Sequence, residues 1–236
     1  MELRLVGSEM CIRDRGNGLK GLKQPNESLD FGNSGTSIRL CSGVLSAQSF
    51  ATTLLGDESL SLRPMQRIVE PLTLMGAKIL PSKDGTLPLS ILPTDSLQSI
   101  EYTLPVASAQ VKSCIMFAGL FAKGETKITE EVVTRNHTET MFNAFGIPVE
   151  TSTSGNKKTI SLSRVEAIKP ANIDICGDFS SASFFILAAL ISADSEILIK
   201  NVGVNPTRIG LLNALRHMGA NIDLINKDEA YEPTAD

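Results

Sequence analysis

The sequence has no tryptophan, two tyrosines and two histidines, and aromatic residues are 5% of its 236 positions. A core must therefore be assembled from Leu, Ile, Val, Ala and Met. The four cysteines, Cys11, Cys41, Cys114 and Cys176, show no CxxC spacing. With so few histidines this argues against a structural zinc site. Cys41, Cys114 and Cys176 lie in apolar surroundings and read as small buried hydrophobes, as suits a reducing compartment. No apolar run reaches the roughly 18 residues of a membrane-spanning helix. Basic residues are not in excess either. Lys and Arg number 22 against 26 Asp and Glu, a net charge of -4. That sign disfavours nucleic acid or an anionic membrane as a partner. There is no GxxxxGK[ST] run for nucleotide phosphates and no Ser-His-Asp constellation. Residues 1–15 have charges but no hydrophobic centre, so they are not a secretory signal. They read as a non-native leader.

What is present is an internal repeat. GNSGTSIRLCSGVLSA from Gly32, PVASAQVKSCIMFAGLFA from Pro105 and GDFSSASFFILAALISA from Gly177 each begin with small polar residues and run into an apolar stretch. Thr36, Ser108 and Ser180 hold comparable places, 72 residues apart at both steps. Gly76, Gly146 and Gly219 repeat at similar intervals, 70 and 73 residues, each predicted to stop a helix before a short strand. In the third of these helices Ile209, Leu212, Leu215 and Met218 recur along one face. Strands are predicted between the helices at 50–55, 125–129 and 196–200, and another at 159–162 after a polar link, 151–158. Units of about 70 residues bury little alone. Their apolar first helices should pack together with the sheets outside.

A loop with an arginine follows each middle strand: GDESLSLRPM with Arg63, TEEVVTRNHTE with Arg135, and NVGVNPTRIG with Arg208. A cation beside a helix N-terminus opposes the macrodipole. One reading is a solvated arginine or a surface ion pair. The other is an anion site shared by guanidinium and helix amides. The helix starts add donors: Asn33, Gly35, Thr36 and Arg39 in the first, Ser108, Ala109, Gln110 and Lys112 in the second, Asp178, Ser180 and Ser181 in the third. These small polar residues also suit N-capping, which is compatible with an anion site. His137 either caps the following helix or approaches a ligand beside Arg135. His217 suits a helix C-terminus.

LDFGNSGTSIRL from Leu29, GDESLSLRPM from Gly56, LPVASAQVKS from Leu104, TRNHTETM from Thr134 and GDFSSASFF from Gly177 together resemble the 3-phosphoshikimate 1-carboxyvinyltransferase family. The resemblance runs from Gly16 to Asp236. It implies an α/β fold: an inside-out α/β barrel of βαβαββ-type units in a two-domain enolpyruvyl transferase, incomplete here. Residues 16–170 would be most of the first domain and 171–236 part of the second. The implied reaction moves the enolpyruvyl group of phosphoenolpyruvate to the 5-hydroxyl of shikimate 3-phosphate, without metal or organic cofactor. Asn33, Gly35, Thr36 and Arg63 match positions near phosphoenolpyruvate. Ser108, Ala109, Gln110 and Arg135 match the shikimate 3-phosphate pocket, with Ser108 and Arg135 on phosphate and Gln110 on the ring. Gly35 matches a position where a larger side chain would obstruct the phosphate end of phosphoenolpyruvate or of glyphosate. The resemblance also implies a cytoplasmic, monomeric parent enzyme. The family's Lys-Ser…Arg motif would precede Gly16, and its catalytic Asp, Glu and Lys would lie past the chain. The expectation is no turnover from this polypeptide alone.

Three other readings stand beside this one. A UDP-N-acetylglucosamine 1-carboxyvinyltransferase would need a reactive Cys where Gly56-Asp57-Glu58-Ser59 stands. A non-catalytic anion-binding repeat protein would need none of the chemistry, and an RNA-processing relative should be more basic.

Overall fold

In a computed structural model, residues 16–229 and 231–236 are described; the predicted leader lies outside them. The repeat is visible as architecture. The first unit comprises β1 (Leu29–Asp30), α1 (Gly35–Leu45), β2 (Thr52–Leu55), the short α2 (Glu58–Ser61), α3 (Gln66–Leu74), β3 (Lys78–Leu80) and β4 (Leu89–Leu92). The second comprises β5 (Glu101–Thr103), α4 (Ala109–Gly119), β6 (Glu125–Glu130), α5 (His137–Ala144), β7 (Glu150–Ser154) and β8 (Lys157–Ser163). Their sheets have the same plan, β1-β2-β4-β3 and β5-β6-β8-β7. In each, the first pair is parallel and the other two antiparallel.

The helices form the interior. On α1, Gly43 meets α4 so closely that a Cβ there would sit 2.2 Å from the Cys114 carbonyl oxygen. Only glycine permits that crossing. Ile38, Ile68, Leu72, Cys114, Ile115, Met116, Ile128 and Ile160 join one continuous core. Phe142 adds an edge-to-face contact with Phe117. All three predicted glycine stops lie one residue past a helix C-cap, after Met75, Phe145 and Met218, at positive φ: 92° at Gly76, 71° at Gly146 and 91° at Gly219. Each donates its N–H back along the helix while the next residue reaches the carbonyl five positions earlier, as Ala77 does to Leu72, Ile147 to Phe142 and Ala220 to Leu215.

The third unit is partial and differs from expectation. It contains α6 (Phe179–Ile191), β9 (Val202–Gly203), α7 (Gly210–His217) and β10 (Thr234–Ala235). Its small core, centred on Phe179, Ala182, Val202 and Leu212, is separate from the main one. α6 does not join the α1–α4 pair, and Phe184, Phe185 and Ile191 are exposed. The predicted strand at 196–200 does not form. Ile197 and Leu198 are exposed there, and strand propensity is realised only where a partner supplies a ladder. Met218 also turns outward, while Leu212 and Leu215 are buried. The supposed polar link at 151–158 is largely a hairpin, β7 to β8. All of β7 is exposed, so its edge position hides it from hydrophobic patterning. Of the three cysteines read as buried, only Cys114 is; Cys41 and Cys176 are half-buried.

Candidate functional site

The first helix of each unit is capped by a side chain. Ser34 accepts from the Ser37 amide, Ser108 from Val111, and Asp178 from Ser181. The second helices, α3, α5 and α7, have no side-chain cap. Each of those uncapped starts follows one of the three loop arginines. Two of these guanidinium groups turn back to the first-helix starts, Arg63 to Asn33 and Arg208 to Asp178.

Arg63 reaches back to α1. Its Nη2 donates to Asn33 Oδ1 at 2.7 Å. Asn33 Nδ2 in turn donates to Asp57 Oδ2 at 2.7 Å. Asp57 also caps α2, accepting from the Leu60 amide at 2.7 Å. That amide, then the Asn33 amide and the nearby Arg63 charge, hold the Asp57 carboxyl below its ordinary pKa. Gly35 lies beneath two guanidinium groups. A Cβ there would be 2.9 Å from Arg63 Nη1 and 3.0 Å from Arg39 Nη1. Arg39 donates to the Gly35 carbonyl at 3.2 Å and the Pro64 carbonyl at 3.3 Å. Its pKa is lowered by burial and then by Arg63 and Arg67. Cations that repel one another over a glycine turn are relieved by an anion.

Gln110, at the start of α4, links this cluster to the second unit. Its Oε1 accepts from Arg39 Nη1 at 2.8 Å, and its Nε2 donates to Thr36 Oγ1 at 2.8 Å. Gln110 also lines an open groove of about 650 Å³ with Ser108, Ala109, Thr134, Arg135, Ser180 and Arg208. Arg135 makes no hydrogen bond or ion pair among the described residues. Arg208 is engaged: Nη2 donates to Asp178 Oδ1 at 2.8 Å and Ser180 Oγ at 2.5 Å. For Arg208 the ion-pair reading of the sequence holds, although it still borders the groove. His137 Nδ1 lies 3.0 Å from Glu232 Oε1, at the start of α5.

The eight residues singled out by the resemblance therefore cluster about the starts of α1 and α4, with Gly35 itself buried beneath the guanidinium groups. Asn33, Gly35, Thr36 and Arg63 surround the glycine turn. Ser108, Ala109, Gln110 and Arg135 line the groove, and Gln110 joins the halves. Sequence reasoning missed Asp57, Thr134 and also Thr207, which lines the same groove; none carries a spacing signal. Among the described residues no group of His, Cys, Asp and Glu could hold a metal ion, and no helix is long and apolar enough to cross a membrane.

The family described as EPSP synthase (3-phosphoshikimate 1-carboxyvinyltransferase) matches residues 3–234. The chain belongs to the EPSP synthase family. A 3-phosphoshikimate 1-carboxyvinyltransferase of Hydrogenovibrio crunogenus is 48% identical over 223 residues, 94% of this chain and 50% of the relative. One from Vesicomyosocius okutanii is 51% identical over 212 residues, 90% of this chain and 48% of that one. The solved EPSP synthase of Acinetobacter baumannii superposes with a TM-score of 0.84 at 49% identity, covering 93% of this chain and 49% of that one. The chain thus spans about half the length of the relatives it matches. The α/β fold is that of EPSP synthase, and family membership does not favour the UDP-N-acetylglucosamine or non-catalytic readings.

Proposed function

We propose that this chain provides the anion-binding surface of an enolpyruvyl transferase that acts on phosphoenolpyruvate and shikimate 3-phosphate. In the reaction, the substrate 5-hydroxyl attacks C2 of phosphoenolpyruvate while C3 gains a proton. Loss of phosphate from C2 of the tetrahedral adduct, together with a proton from its C3 methyl, leaves the enol ether. The role of these residues is to bind and orient two anions next to each other. Arg135, Ser108 and the α4 amides take the phosphate of shikimate 3-phosphate, and Gln110 faces its ring. Arg63, with Asn33 and the Gly35 turn, takes phosphoenolpyruvate. The single observation that supports this best is Gln110. One amide both fixes Arg39 and Thr36 over the glycine turn and borders the groove open to Arg135. Two anion sites linked by one side chain suit two substrates that must react with each other. We assign 16–170 and 171–236 to the two domains of the fold, in keeping with their separate cores. The parent enzyme is taken to be a cytoplasmic monomer without cofactor.

Calorimetric titration of the chain with shikimate 3-phosphate tests the reading. Saturable binding that weakens with added salt is expected, because partly exposed charges are screened. Absence of binding and of any thermal shift at millimolar ligand would defeat it.

A further inference from the structure

The loop joining β6 to α5 brings Thr134 and Arg135 to the groove without help from apolar packing. Its Val132 and Val133 are 66% and 52% exposed. Its hold lies underneath. Both the amide and the hydroxyl of Thr134 donate to Glu130 Oε1, the amide at 3.3 Å. Glu130 ends β6 and is 1% exposed. Its carboxylate pairs with Lys112 Nζ at 3.2 Å. Lys112 is wholly buried on α4, the helix whose start supplies Ser108, Ala109 and Gln110 to the same groove. Lys112 also pairs with Glu139 of α5 at 2.8 Å, and the hydroxyls of Ser113 and Thr138 lie 2.6 Å apart.

A buried ion pair is a poor way to gain stability, because apolar residues of equal volume commonly do as well or better. What this one provides is direction. It ties the loop on one wall of the groove to the helix start on the other. We infer that Lys112 and Glu130 form a positioning clamp that acts through Thr134 to set Arg135 against the start of α4. Glu130 and Lys112 touch no ligand; they fix the distance between the guanidinium and the helix amides that would share one phosphate. The inference rests on the phosphate-binding reading of the groove.

Two measurements on the 236-residue chain test it separately from that reading. The first is amide exchange without ligand. Thr134 N–H should be protected in the wild type and lose protection in Glu130→Gln, because Lys112 Nζ lies against both carboxylate oxygens, at 3.2 and 3.3 Å, so either placement of the Gln NH2 sets it against the ammonium and drives the side chain out of place. Unchanged protection overturns the clamp whether or not the groove binds phosphate. The second is titration with shikimate 3-phosphate. Thr134→Val, which leaves the buried pair intact, and Glu130→Gln should each weaken binding by about tenfold. The double variant should be no weaker than the worse single one, and Thr134→Ser should restore affinity. Single variants that bind like wild type, or losses that add in full, overturn the clamp. A wild type that does not bind at all defeats the phosphate reading instead, leaving the exchange result to decide the clamp.

Discussion

Arg39 on α1 and Gln110 on α4 meet through a 2.8 Å hydrogen bond from Nη1 to Oε1, across 71 residues of chain. The bond joins the starts of the inner helices of two successive repeats. Replacing Gln110 with Ala removes the acceptor of Arg39 and the donor to Thr36 together. We expect a loss of about 1 kcal/mol in urea denaturation and weaker binding of both anions. A denaturation midpoint equal to that of wild type would show that the bridge contributes nothing.

Gly35 opens α1, and Ala is a better helix residue by roughly 0.5–1 kcal/mol. Against that gain, the new methyl would meet the ends of Arg63 and Arg39. Those ends are flexible, so the side chains move and the fold survives. Gly35→Ala should therefore melt within a few degrees of wild type yet lose affinity for phosphoenolpyruvate or glyphosate by about tenfold. A melting curve shifted far downward would mean that the backbone, and not the guanidinium groups, absorbs the methyl.

Lys112→Met should be severe. It strands two carboxylates, Glu130 and Glu139, that are 1% and 4% exposed. Breaking such a buried pair costs about 3–5 kcal/mol. Chemical denaturation checks this, and a loss under about 1 kcal/mol would mean that water already reaches the carboxylates.

Asp57 gives a pH dependence. Its folded pKa is depressed, chiefly by the Leu60 amide. Its contribution to stability is therefore present above the unfolded value near about 4 and disappears as pH falls through the folded value. Carbon-detected titration should place its midpoint below the ordinary Asp range. Asp57→Asn should flatten that part of the acid limb of the stability profile, and an unchanged limb would count against the assignment.

Cys114 is wholly buried, and burial pushes its thiol pKa well above the ordinary value. Alkylation at pH 8 followed by peptide mass analysis should leave it unmodified until denaturant is added. Rapid labelling in the native chain would show that the α1–α4 seam opens readily.

The helix-and-strand order of the first two units was legible because each signal is local. Ser34 and Ser108 cap within three residues, and Gly76 and Gly146 turn the chain within two. Legibility failed where a neighbour decides. β7 is a polar edge strand that exists through its ladder with β8. The segment 196–200 has strand composition but no ladder. Lys112 reads in the sequence as a donor at the second helix start, yet it is buried and paired with Glu130 and Glu139, which nothing in its spacing indicates.

The sequence alone determined the repeat, the caps, the glycine stops and the residue types gathered at each helix start, since those depend on atoms a few bonds apart. Which arginine is open and which is paired was decided only in three dimensions. Arg135 and Arg208 occupy equivalent loops, but Asp178 lies within 2.8 Å of Arg208, while of the two carboxylates before Arg135, Glu130 is turned inward to Lys112 and Glu131 is paired with Lys157. The physical reason is range. Capping acts over one turn of helix, whereas charge pairing depends on which distant segments the packed core brings together.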